Sequence, residues 1–393
     1  MKNQGRRTPS RFELAGEEVP IVWRGRRATA IVPARLADRD LALDPATAAA
    51  AATAAAEVTR AAESLVVDLE PLARLLLRSE GVASSFIEGV AAPVLDVVLA
   101  EEGSGSGEPA AWVAASLGAT SDAIEHAASG APLDADTLLG WHRRLMAGSP
   151  TPERFIGRFR DEQGWIGGTS PFDAHLVTPP PDRVEGLVAD LIEWVNGDGV
   201  DPIVQAAVAH AQFELVHPFA DGNGRIGRVL VGWVLVRRLG LLVPPPVSVA
   251  IAADTGGYAA GLVQFRMSDH LAWVRWFAGA VAAGGRAQRE LIAEVHRIEE
   301  RWRQRLRDRR VRADAAAWRA LDLLPRHLVL TAPALAAELH VTPKAAIDTL
   351  ARLVEAGILT EVGSLATSGP GRRPRLYAAA ELLGLAGSSP LRG

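Results

Sequence analysis

His217-Pro218-Phe219-Ala220-Asp221-Gly222-Asn223-Gly224-Arg225-Ile226-Gly227-Arg228 is the corner around which this chain has to be read. An apolar helical stretch from Pro202 to Val216 runs into it and must stop, because Pro218 cannot continue the hydrogen bonding of a helix. Gly222, Asn223 and Gly224 then give a tight backbone with little side-chain bulk. They lead straight into the first turn of a second helix, expected from Arg225 to Leu239. Unpaired N–H groups at such a helix start form an anion site, and glycines let an oxyanion come close. Arg225 and Arg228 stand three apart on one face of that first turn. Each opposes the helix dipole by roughly 0.3–1 kcal/mol, a cost that makes sense if an anion lies between them. Asp221 is the loop's carboxylate, and magnesium bridges phosphates through one or two carboxylates plus water. His217 can accept a proton near neutral pH. Any one of these residues alone suits a capped helix corner; together, at this spacing, they point to phosphate chemistry.

The remainder of the chain bounds that reading. With 393 residues and 48% hydrophobic composition, two or three domains with sizeable cores are expected. A net charge of −4 argues against a generally basic nucleic-acid binder, and the absence of cysteine excludes disulfides, thiolate metal sites and cysteine nucleophiles. No apolar run approaches the roughly 18 residues that span a bilayer, and the N-terminus lacks the apolar stretch of a secretory signal. The expectation is a cytoplasmic protein with no membrane partner.

Residues 1 to about 40 are punctuated by Pro and Arg and are read as an irregular arm. Ala-, Leu- and Glu-rich sequence from Pro45 to Leu77 predicts one or two helices. Further helices are expected at 110–129, 134–147, from Asp182 and around Leu271–Phe277, with a loop at Glu101–Pro109. Between Gly157 and Pro181, two short apolar pieces among Gly, Pro and Asp give the signature of a hairpin. The alternating Arg and Glu of 286–312 read as a solvated linking helix. After Ala313 the order helix, short helix, turn, helix and basic-tipped ribbon is the pattern of a winged helix-turn-helix.

One carboxylate looks misplaced. Ser84 and Glu88 are a helical turn apart, and Glu88 immediately precedes Gly89, which suits the left-handed residue after a helix. A negative side chain in the last turn adds to the helix's negative end. Between Phe86–Ile87 and Gly89 it is either a glutamate reaching into solvent or a partly buried acid with a cationic partner.

The loop resembles the signature of the Fic family: His-Pro-Phe, any residue, Asp or Glu, Gly-Asn-Gly-Arg, two of any kind, Arg. Residues 217–228 match it without departure. Gly157–Arg160, Trp165–Gly168 and Val177–Pro181 are similar to the family's target-docking hairpin, and Ala209–Glu214 to the helix before its loop. The resemblance covers roughly residues 60 to 280. It implies a mainly α fold: a Fic-type helical core with a small β-hairpin flap, here followed by the winged-helix domain. The organisation expected is an N-terminal arm and helices at 1–75, a catalytic core at 76–285, the charged helix at 286–312 and the winged helix at 313–393.

The family's usual activity implies an enzyme that moves AMP from ATP to a Ser, Thr or Tyr hydroxyl of a protein and releases pyrophosphate. By that resemblance His217 is the catalytic base and Asp221 the magnesium ligand. Phe219, Gly222, Asn223, Gly224, Arg225, Arg228 and Tyr258 bind the nucleotide. Trp165, Ile166, Gly167 and Gly168 dock an extended target. Ser84, Glu88 and Gly89 fit the family's autoinhibitory motif, on an inhibitory helix at 77–89, with Arg228 as the expected partner of Glu88. Retention of Gly-Asn-Gly favours AMP transfer over phosphate transfer. Removal of AMP, another transfer at the same site, or a nucleotide-sensing DNA-binding regulator are the alternatives. The partners implied are a protein with an accessible hydroxyl, the chain itself as substrate, and a second copy in a homodimer. From Ala313 to Gly393 there are eight Lys or Arg against seven Asp or Glu. Arg372, Arg373 and Arg375 mark a basic wing, and Thr342 and Lys344 open the helix that would read bases. That helix is poor in base-reading side chains, so protein contact or dimerisation is favoured over DNA.

Overall fold

The computed structural model describes residues 16–36, 41–65, 69–103, 107–267, 269–365 and 373–387. Its elements, in chain order, begin with strands β1 (Glu17–Trp23) and β2 (Arg26–Val32) and helices α1 (Pro45–Glu63), α2 (Leu69–Ile87), α3 (Val94–Glu101), α4 (Glu108–Ala128) and α5 (Ala135–Leu145). Strands β3 (Trp165–Ile166) and β4 (Leu176–Val177) follow, then α6 (Pro181–Asn196), α7 (Pro202–Val216), α8 (Asn223–Leu239), α9 (Val247–Ala253), α10 (Thr255–Arg266) and α11 (His270–Asp308). The C-terminal part holds α12 (Ala316–Leu321), β5 (Val329–Leu330), α13 (Ala332–Leu339), α14 (Pro343–Glu355), β6 (Thr360–Ser364), β7 (Arg375–Ala378) and α15 (Ala380–Ala386). Among the described residues no helix is long and apolar enough to cross a membrane.

The architecture is mainly helical, and α7 is its hub. Every residue from Ile203 to Val216 is buried, because α6, α8 and α11 pack around it. Apolar residues on every face are what such a position demands, and Gln205, His210, Gln212 and Glu214 are buried among them. Asp201 caps its start by accepting from the N–H groups of Ile203 and Val204, so the helix that delivers His217 has a defined beginning and end.

Residues 17–32 correct the expectation of an irregular arm. Val19, Ile21 and Trp23 alternate inward against Ala28, Ala30 and Val32, and the two strands pair in antiparallel register from Glu17↔Val32 to Trp23↔Arg26. Arg24 and Gly25 make the turn, both with positive φ (47° and 77°), which matches the right-handed twist of hairpin strands. Asp190 holds the segment that follows, accepting from the Leu36 N–H at 2.7 Å and from Arg35 at 3.0 Å.

Helix α11 is continuous over 39 residues, so the charged stretch from 286 is its distal half and no break separates it from Leu271–Phe277. Its proximal half packs along α1 and α7 in the larger core. Its distal half, with Ile292, Val295, Ile298 and Trp302, enters a second apolar core with α12, α14 and the antiparallel sheet of order β5-β7-β6. Helix α2 crosses between the two: Leu72, Leu75 and Leu76 lie in the second core, while its C-terminal turn reaches the corner at 217–228. Arg372 lies outside the described residues.

Candidate active site

The corner is fixed from three directions. Asn223 stands at the first position of α8 and clamps the loop across its base: its Oδ1 accepts from the Phe219 N–H and its Nδ2 donates to the Phe219 carbonyl, both at 2.9 Å. Gly222, at φ 79°, caps α8 in the left-handed region. His142, on α5, stacks flat on the Phe219 ring, with centroids 3.8 Å apart. Its Nδ1 accepts from the Gly157 N–H at 2.9 Å, so its Nε2 is left to donate to the Asp221 carbonyl at 3.1 Å. Burial holds this imidazole down at about 4, which keeps that neutral tautomer in place.

Arg160 supplies the third anchor. Its guanidinium is buried and donates to the carbonyls of His217 (2.8 Å), Val216 (3.3 Å), Pro179 (2.7 Å) and Glu162 (3.0 Å). Its own backbone N–H donates to the Pro218 carbonyl at 2.9 Å. The chain entering the loop is thereby tied to the segment that leads into β3. Neither His142 nor Arg160 was singled out in the sequence. Both act through carbonyls distant in the chain, and only the Gly-Arg-Phe-Arg stretch hinted at the second.

These ties hold His217 in a conformation it would not choose. It terminates α7 with φ 48°, ψ 61°, a left-handed geometry uncommon for a residue with a Cβ. The ring is partly exposed, while its Nδ1 is buried without a hydrogen-bond partner. Burial, with the Arg160 guanidinium nearby, pulls its pKa down to about 4. The imidazole is therefore a free base throughout the neutral range.

Asp221 sits exposed at the mouth. Its Oδ1 accepts from the Gly222 N–H at 2.6 Å and its Oδ2 from the Thr151 hydroxyl at 3.0 Å. Among the described residues no group of three His, Cys, Asp or Glu could close around a metal ion. A single exposed carboxylate beside an anion site does suit magnesium that arrives with phosphates, since that ion keeps several waters and takes few protein ligands.

The two loop arginines differ sharply. Arg225 is buried beside Met146, its Nη2 3.7 Å from the sulfur, and its Nε has no partner. Arg228 is committed: its Nε donates to the Ser84 hydroxyl at 2.9 Å, and its Nη2 to the Ser84 carbonyl at 2.8 Å and to Glu88 Oε1 at 2.7 Å. The pair expected between Glu88 and Arg228 is formed, with side-chain exposures of 37% and 2%. Gly89 follows at φ 76°. A Cβ placed on Gly224 would lie 2.1 Å from Glu88 Oε1. The Glu88 carboxylate thus occupies the space directly over the glycine loop.

Beneath the loop lies a buried polar group. Glu214 Oε1 and His210 Nδ1 have no hydrogen-bond partners, and His210 Nε2 shares a 2.8 Å hydrogen bond with the Tyr258 hydroxyl. Burial, reinforced by the charge of Glu88, pushes Glu214 up to about 8, and burial holds His210 at about 3. Tyr258 is packed among His210, Trp273 and Trp276. Phe219 is fully buried, so its ring gives the loop its shape and is closed to a ligand. On the other side of the corner, Trp165↔Val177 and Ile166↔Leu176 pair as a two-stranded hairpin, with Gly167 and Gly168 exposed beyond it.

Residues 132–235 match the Fic/DOC family. Protein adenylyltransferase fic-1 of Caenorhabditis elegans is 33% identical over 146 residues, covering 36% of this chain and 26% of that protein. A probable protein adenylyltransferase of Aquifex aeolicus is 40% identical over 72 residues, covering 18% and 22%. The chain thus spans about a quarter of the length of these curated relatives. A solved Fic family protein from Desulfovibrio desulfuricans G20 superposes with a TM-score of 0.54 at 25% identity, over 86% of this chain and 97% of that one. A Fic domain containing signaling protein from Bacteroides thetaiotaomicron has the same fold, with a TM-score of 0.51 at 18% identity over 61% of this chain and 97% of that one.

Proposed function

From the premise that this chain is a member of the Fic family, we propose that it is a protein adenylyltransferase whose resting state is held back by Glu88. The observation that carries the reading is the placement of the Glu88 carboxylate over Gly224 and against Arg228. A carboxylate there occupies an anion site built from a helix start and a guanidinium, the same elements that would receive a triphosphate.

In the transfer itself, His217 takes the proton from the target hydroxyl as the oxygen attacks the α-phosphorus. The bond from that phosphorus to the bridging oxygen breaks, AMP stays on the target and pyrophosphate leaves. A free-base imidazole at neutral pH is ready for that role. Gly222, Asn223 and Gly224 cradle phosphate oxygens. Arg225 faces the β-phosphate, and Arg228, once released by Glu88, the γ-phosphate. Asp221 would hold magnesium, whose positive charge would offset the negative charge of the phosphates. Tyr258 acts from behind this layer, through His210. The β3–β4 hairpin is read as the flap to which an extended target adds as a further strand.

The part from Ala313 onward is read as a winged helix that contacts protein. On α14 the exposed apolar Ile347 and Val354 fall seven residues apart on one face, and Lys344 is already paired with Asp348. A face of that kind suits a protein surface better than a phosphate backbone.

The test is incubation with ATP labelled at the α- or the γ-phosphate. Wild type should label protein weakly, Glu88→Gly strongly and from the α-position alone, and Glu88→Gly with His217→Ala not at all. Equal labelling of wild type and Glu88→Gly removes the restraint from the account, and label from the γ-position removes AMP transfer.

A further inference from the structure

Resting on that reading of the β3–β4 flap, we propose that the β1–β2 hairpin is the second half of the target surface and selects segments rich in acidic residues. The hairpin tip is built onto the flap. Trp23 meets Trp165 and Phe172 edge to face, each at 5.7 Å between ring centroids, and β2 runs beside β4. The base of the hairpin is held away from the tip, by Asp190 and by Gln212, whose side chain donates to the Ala34 carbonyl at 2.9 Å. A segment lying along the flap therefore passes the tip.

That tip is cationic and uncompensated. Arg24, Arg26 and Arg27 are exposed, and among the described residues none of the three is in an ion pair. The Arg24 guanidinium lies 4.4 Å from the Trp23 ring centre and that of Arg26 4.0 Å from the Phe172 ring centre. Such stacking fixes where a cation sits without neutralising it. The flap's own acid, Asp173, is engaged within its loop by the N–H and hydroxyl groups of Thr169 and Ser170.

Arg24 also occupies the first turn position at φ 47°, where Asn, Asp or Gly fits with less strain. A strained arginine kept at an exposed tip is readily explained by what its charge does there. Acidic peptide is a better fit than nucleic acid. The Trp23 and Phe172 rings already carry the Arg24 and Arg26 guanidiniums, which compete with base stacking, and the whole chain carries a net charge of −4.

The experiment measures binding by fluorescence anisotropy, which needs no catalysis. Three labelled extended peptides each carry one central threonine: glutamates on its N-terminal side, glutamates on its C-terminal side, or glutamines on both. Each is titrated with Glu88→Gly and with the same chain carrying Arg24→Asn, Arg26→Gln and Arg27→Gln, changes that suit the turn and the exposed strand. One acidic peptide should bind roughly three- to tenfold more tightly than the glutamine peptide, with the advantage shrinking as salt rises. The triple variant should lose that advantage and leave the glutamine peptide unchanged, which also reports that the fold is intact. Equal affinity for all three peptides overturns the inference. So does a preference that survives the triple variant, or a single-stranded oligonucleotide that binds the tip more tightly than either acidic peptide. AMP labelling of the same peptides is scored separately: selective binding without labelling by Glu88→Gly overturns the transferase and leaves acidic selection standing.

Discussion

The two ends of α2 are held by opposite kinds of force. Toward its N-terminus, Leu72, Leu75 and Leu76 are buried in the core shared with α12, α14 and the distal part of α11. Midway, the Glu80 carboxylate accepts from the Ser248 N–H and hydroxyl, and Arg78 pairs with Glu101 at 2.8 Å while donating to the Arg326 carbonyl. At the C-terminal end, beyond the buried Val82 and Ala83, the last grip is Ser84 and Glu88 on one guanidinium. Apolar burial is non-directional and scales with area, so the first end is fixed. A charge-assisted pair whose acid is over a third exposed can be replaced by another anion, so the second end is exchangeable. If Glu88 restrains the enzyme as proposed, its release needs no rearrangement of the fold, only competition for Arg228.

In the Glu88→Gly background, His217→Ala should lower AMP labelling by ~10²–10⁴-fold, with an unchanged melting transition by circular dichroism. Any smaller loss means that another group takes the proton. At the anchored end, Leu75→Ala should cost about 2–5 kcal/mol in urea unfolding and leave labelling by the otherwise wild-type chain unchanged. Raised labelling would show that the two ends are coupled through α2. At the exchangeable end, Glu88→Gly should raise labelling by roughly tenfold or more, the effect of weakening a competitor by about 1.4 kcal/mol or more; adding Arg228→Ala should cancel the gain. Ser84→Ala should cost only about 1 kcal/mol and raise labelling slightly.

The pH dependence separates the group beneath the loop from the groups on it. Burial pushes the folded-state pKa of Glu214 up to about 8, above its unfolded value, so the folded protein holds the proton more tightly. Its contribution to stability is complete below the unfolded pKa and is lost as pH rises through 8. Thermal melts of wild type should therefore lose stability between pH 5 and 8 by more than melts of Glu214→Gln. Parallel slopes would mean that this carboxyl is ionised in the fold. His217, depressed to about 4, should leave the rate flat on its acid side down to about pH 5.

What could be read from the sequence was local. Pro218, the glycines and Asn223 fix the corner within a few residues of themselves, and the apolar pieces around 165–177 announce their hairpin through flanking Gly and Pro. Hairpin β1–β2 was missed because its turn is Arg24-Gly25 in place of Asn-Gly, and because its inner face includes the small Ala28 and Ala30, which give a faint alternation. The unity of α11 was obscured by Gly284-Gly285, a pair that usually ends helices; here the proximal helix is held by packing on α1. Arg160 and His142 were invisible for another reason. They bond to backbone carbonyls or N–H groups far away in the chain, and no pattern of residue types encodes which carbonyl a side chain will meet.

The most direct measurement is a crystal structure of Glu88→Gly grown with ATP and magnesium. A triphosphate is expected over Gly222–Gly224, with the Arg228 guanidinium turned from Ser84 onto its terminal phosphate, while His217, Asn223 and Arg160 stay where they are in the wild-type chain. A nucleotide bound elsewhere, or an Arg228 that remains on Ser84 while the phosphates lie beyond its reach, would contradict that expectation.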